Sequence, residues 1–137
     1  MPRRAVPALA LVGALAALAA GCGGPAPAYT SQGTAKCLTD KGFTKVTTDP
    51  AKVGFIAAFA DNGGLRGKAP NGNVLTIAFT KDAASVGSTE NAFRAHASPF
   101  YKRRMHDIME SKRNAVLVWT TAPSQAQLAT ALGCLGS

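Results

Sequence analysis

The signatures that announce an enzyme are missing from this chain, and acidic residues are scarce. No Gly-x-Ser-x-Gly occurs, so there is no nucleophile elbow. The run Gly63-Gly64-Leu65-Arg66-Gly67-Lys68 falls short of a phosphate-binding loop, which needs glycine in place of Asn62 and a hydroxyl residue in place of Ala69. Seven Asp and Glu spread along 137 residues give no close carboxylate pair for glycoside chemistry. The three cysteines include no Cys-x-x-Cys redox pair. Internal repeats are absent, as are charge blocks of the length that signals disorder. The longest apolar run, Ala8 to Ala20, has 13 residues, or 16 counted from Ala5, against the roughly 20 that a spanning helix needs. The expectation is therefore a non-enzymatic protein with no catalytic residue and no cofactor.

What is present begins at the N-terminus. Arg3 and Arg4 precede the apolar run, which is the layout of a secretory signal peptide. Pro7 and Gly13 weaken the rival reading, a permanent membrane anchor. The run ends in Leu18-Ala19-Ala20-Gly21-Cys22, and the chain then turns rich in Gly, Pro and Ala. This resembles the lipobox of bacterial lipoproteins, with Ala19 where the commonest form of the motif has leucine. The resemblance covers residues 1–22 and implies that Cys22 receives a diacylglyceryl thioether and becomes the mature N-terminus. Acylation with several chains gives stable anchoring where one alone is marginal. The other possibility is a cleavable signal in which Cys22 is an ordinary small residue. The expected organisation is a signal peptide over 1–21, a flexible tether over 22–33 and one small globular domain over 34–137. The expected location is the outer side of the cell membrane.

Without the leader the chain has 116 residues, one small domain's worth, and a formal charge of +6. With Cys22 lipidated, Cys37 and Cys134 remain, and outside the cytoplasm two leftover cysteines usually pair. They are expected to form a disulfide that staples the last helix to the first.

Local pattern then sets the elements. Ala35 to Lys41 reads as a helix stopped at Gly42, a left-handed Schellman position that returns Phe43 onto Leu38. A short strand follows at Thr44–Thr48. Asp49-Pro50 is an N-cap with proline at the first helical position, opening a helix towards Ala60, although Phe55, Ile56 and Phe59 would also suit a strand. Leu65–Pro70 and Asn73–Thr80 form a hairpin around Asn71-Gly72. A helix from Lys81-Asp82 to Ala97 and a second from Pro99 to Ser111 precede the strand Ala115–Thr120, which carries the only tryptophan. Pro123 opens a terminal helix striped with Leu128, Ala131, Leu132 and Leu135. The fold class is α/β or α+β: a small sheet of about three to four strands, helices mainly on one face, closed by one disulfide. Whether the two long strands run parallel or antiparallel stays open.

Two constellations carry possible chemistry. His96, Met105, His106 and Met109 offer imidazole and thioether, which suit copper. However, Met105 and Met109 fall at helical spacing with Ile108 and read as core, so no metal site is expected. Basic residues are the second candidate. Lys102-Arg103-Arg104 and Lys112-Arg113 bracket the second helix, with Arg103 set to pair with Asp107, and Lys36, Lys41, Lys45, Arg66 and Lys68 lie elsewhere. Few aromatics interleave with them, so nucleic acid is not the expected partner. An anionic membrane or acidic wall polymer suits them better. The overall expectation is a lipid-anchored binding or accessory module, with a protein or envelope ligand as partner.

Overall fold

A computed structural model describes Gly24 and residues 26–137. The leader and Cys22 lie outside the described residues. The chain runs through α1 (Ser31–Asp40), β1 (Thr44–Thr47), α2 (Phe55–Ala58), β2 (Gly64–Lys68) and β3 (Val74–Phe79). It continues through a 3-10 turn (Ala83–Ser85), α3 (Val86–His96), α4 (Pro99–Lys102), α5 (Met105–Ile108), β4 (Met109–Lys112), β5 (Ala115–Trp119) and α6 (Gln125–Cys134). The five strands form one antiparallel sheet in the order β1-β2-β3-β5-β4. Among the described residues the count is five, not three to four, and the two long strands β3 and β5 are antiparallel neighbours. No helix among the described residues is long and apolar enough to cross a membrane.

Alternation along the strands sorts side chains between the two faces. Leu65, Leu75, Ile77, Phe79 and Leu117 face α1 and α6 in the main core, joined by Leu38, Ala131 and Leu135. The opposite face is covered too: Ala78 packs under Val53 and Ala57, with Phe93 of α3 beside them. Gly64 makes that approach possible, because a Cβ there would lie 2.5 Å from the Ala57 carbonyl oxygen. The expected one-sided cover is therefore corrected. The thicker core lies under α1 and α6, and a thinner layer made by the one-turn α2 and the 11-residue α3 covers the second face.

The α1 stop forms as the sequence implies. Gly42 has φ +88°, the Phe43 amide donates to the Leu38 carbonyl at 3.0 Å, and the Gly42 amide donates to that of Thr39. Folded structure begins ahead of Thr34. Tyr29 is buried, and its amide donates to the Asn114 side-chain oxygen at 2.7 Å. The helix expected from Asp49 is cut by Gly54 at φ +96°, leaving a turn capped by the Asp49 carboxylate and then the single turn of α2. The helix expected over 99–111 breaks into α4 and α5 and ends as β4, whose residues pair along the free edge of β5. Tertiary pairing outweighs the helical spacing of Met105 and Met109 there. Ser124 opens α6 with a reciprocal capping box to Gln127. Cys37 and Cys134 are bonded across a separation of 97 residues, with Cα atoms 5.4 Å apart.

Candidate ligand-binding cleft

The thin cover of the second face leaves a cleft of about 260 Å³. Its floor comes from Thr76 of β3 and Val118 of β5, and its walls from Ile56 of α2, Phe93 and His96 of α3, and Tyr101, Met105 and Ile108 of the broken helix. Trp119 and Thr120 line one end. The breaks at Gly54 and after Lys102 are what keep the cleft open, since one-turn helices cannot cover a sheet as a long helix does. Trp119 is only 1% exposed. Its indole N–H is the one buried side-chain nitrogen or oxygen among the described residues with no hydrogen-bond partner. Trp119 pairs with Leu75 and its ring lies 6.4 Å from that of Phe43, so the indole belongs to the main core, on the face opposite Thr76 and Val118.

Exposed aromatics stand close by. Phe55 and Phe59 are 70% and 78% exposed and stack edge to face, 5.0 Å between centroids. Phe55 also lies 6.1 Å from the His96 ring, and Phe100, 51% exposed, stacks on Tyr101 at 5.3 Å. The buried set Val53 and Ala57 belongs to the same short stretch. Apolar residues at Phe55 and Phe59 thus lie on the face turned away from the core.

Next to the cleft runs a basic groove of about 440 Å³, lined by Lys45, Lys52, Arg66 and Lys68. Lys52 meets the Asp49 carboxylate at 3.2 Å. Asp49 is held below the usual carboxylate range, first by the Ala51 amide it accepts from and then by Lys52. Lys45, Arg66 and Lys68 have no ion pair among the described residues. Lys45, Arg66 and Lys68 stood in the sequence only as scattered basic residues, although a two-residue spacing along a strand puts Arg66 and Lys68 on one face. What brings in Lys45 and Lys52 is the β1–β2 pairing and the turn after β1, which the sequence did not reveal.

The other basic residues are dispersed. Lys102 ends α4, Arg103 and Arg104 turn the chain into α5, and the Arg104 guanidinium sits 5.3 Å over the Phe100 ring. Lys112 and Arg113 lie at the far end of β4, roughly 10 Å along the strand. Arg113 is engaged there, donating to the Pro27 carbonyl and covering the Tyr29 ring at 4.2 Å. Asp107 meets His106 at 3.2 Å, not Arg103. Of the four residues considered for copper, His96 and Met105 both line the cleft, Met109 starts β4, and His106 is exposed beside Asp107. No group of three or more His, Cys, Asp or Glu side chains that would hold a metal occurs among the described residues. Compared with known proteins, the chain matches no family model, no curated protein and no solved structure.

Proposed function

We propose that this protein is a lipid-anchored, extracytoplasmic binding module, held by Cys22, that takes a small apolar ligand in the cleft on the second face of its sheet. The observation that carries this reading is the cleft itself: apolar walls, an open mouth and the polar side chains of Thr76, His96, Tyr101 and Thr120 along it. That combination of apolar lining and a few polar groups is the usual make-up of small-molecule sites, although this one is just below their common size range of about 300–1,000 Å³. The ionisable side chains lining the cleft are His96 and Tyr101, which supports binding over catalysis. Because the basic residues at 102–104 and 112–113 are dispersed, a flat polymer-binding face has less support than the cleft.

Trp119 is the chain's only tryptophan and borders the cleft, so it is the single indole energy donor for a probe bound there. The test is titration with an apolar naphthylamine probe, following energy transfer from Trp119. Saturable binding is expected, and filling the cleft with Ala97→Phe should weaken it about tenfold, the scale of one lost apolar contact set. Non-saturable uptake, or equal affinity in the filled variant, would remove the cleft from consideration.

A further inference from the structure

The cleft and the basic groove are joined by one row of residues across the second face. Arg66 of β2 pairs with Thr76 of β3, and Thr76 pairs with Val118 of β5. Directly opposite residues in antiparallel strands point to the same side of a sheet. Thr76 and Val118 floor the apolar cleft, while Arg66 lines the basic groove and also the hollow formed by Ile56, Thr76, Phe93 and His96. Two strand spacings, about 10 Å, separate the apolar end from the cationic end.

The groove is shaped for this convergence. Thr44 pairs with Lys68 and Thr47 with Arg66, so β1 carries an extra residue and bulges. Lys45 sits in that bulge with φ +51°, a left-handed conformation uncommon for lysine. Bulges re-aim side chains, and here the result is Lys45 lining the same groove as Arg66 and Lys68. The nearest counter-charge, Asp49, is matched to Lys52.

We propose that the two are one site and that its ligand is an anionic amphiphile. A short acyl chain or comparable apolar body would lie over Thr76 and Val118, and a carboxylate or phosphate head would lie among Lys45, Arg66 and Lys68. This rests on the cleft reading above and adds the ligand's chemical class. Charge complementarity selects the head, and the limited cleft volume selects a single short chain over a two-chain lipid.

The test uses membranes from cells making the full chain. They are photolabelled with a diazirine-bearing dodecanoate and, in parallel, with dodecanol carrying the same diazirine. Dodecanoate should label peptides containing Ile56, Phe93 or Val118 about tenfold more than dodecanol, because three cations each add the modest factor of an exposed ion pair. Unlabelled dodecyl phosphate should compete. Inorganic phosphate alone should not, and its full displacement of the probe would make the groove a free-anion site and overturn the amphiphile. The variant Lys45→Gln with Arg66→Gln and Lys68→Gln changes only exposed side chains, and it should bring dodecanoate down to the dodecanol level. Equal labelling by both probes, unchanged in that variant, would refute the anionic head and leave the apolar cleft standing. Absence of cleft labelling by either probe would refute both.

Discussion

Asn114 is the side chain whose removal should reveal most about how the β3–β5 pair is held. It is 2% exposed, and its side chain makes three buried hydrogen bonds. Its oxygen accepts from the Tyr29 amide at 2.7 Å, and its nitrogen donates to the carbonyls of Tyr29 at 3.0 Å and Thr80 at 2.8 Å. Asn114→Ala deletes all three and strands the Tyr29 amide and carbonyl away from that partner, while the Thr80 carbonyl keeps the Asn62 side-chain amide at 2.8 Å. At about 1 kcal/mol net per bond, with more for a stranded buried group, the loss should be about 3 kcal/mol. That is a large share of the 5–15 kcal/mol typical of a whole domain. The assay is urea unfolding of a soluble form starting at residue 24. The midpoint should fall by roughly 1–3 M with unchanged slope, given slopes of about 1–3 kcal/mol/M. Amide exchange at Tyr29 should accelerate in the same variant. Asn91→Ala, on an exposed residue that meets only Arg94, should cost under about 0.5 kcal/mol. If Asn114→Ala behaved like Asn91→Ala, the clamp would contribute nothing and the reasoning would be wrong.

Three further outcomes are expected. Replacing Cys37 and Cys134 together by alanine should lower stability by about 4–5 kcal/mol on the chain-entropy account of a loop near 100 residues, read by the same urea midpoint; a change below about 1 kcal/mol would contradict it. Cys22→Ser should leave the protein unprocessed or released from membranes, and normal processing with membrane fractionation would end the anchoring proposal. Asp82 caps the turn before α3, and its carboxyl is held below the ordinary range, first by the Ser85 hydroxyl and then by the Ser85 amide. Its contribution is therefore full above the ordinary aspartate value of about 3.9 and drains away as pH falls through the lower folded-state value. Asp82→Asn should flatten that acid limb of the stability curve, and an unaltered limb would remove Asp82 as its source.

Where one local signal acted alone, the sequence was enough. Gly42 and Phe43 announced the α1 stop, Asn71-Gly72 the hairpin, and the two leftover cysteines the bridge. It failed where distant pairing decided the outcome. Met109–Lys112 has helical spacing with the residues before it, yet the free edge of β5 takes it as a strand. The helix expected from Asp49 runs through Gly54, but the positive φ there splits it and opens the cleft. The groove went unread: Arg66 and Lys68 appeared only as scattered basic residues, and the bulge that adds Lys45 depends on register with β2, which no window of sequence contains. Asn114 carried no signal at all, because its partners lie 85 and 34 residues away.

The position of the disulfide has a mechanical consequence. All five strands of the described residues lie between Cys37 and Cys134. Tension applied at the N-terminus and resisted at Ser137 therefore passes through α1, crosses the covalent bridge and leaves by the last three residues. The sheet is in a loop off the load path. Pulling on the molecule by its ends can peel Tyr29 from Asn114 and unwind the turns of α1 before Cys37, but it cannot draw a strand out of the sheet while the bridge is intact. Reduction of one bond would put the whole sheet under load.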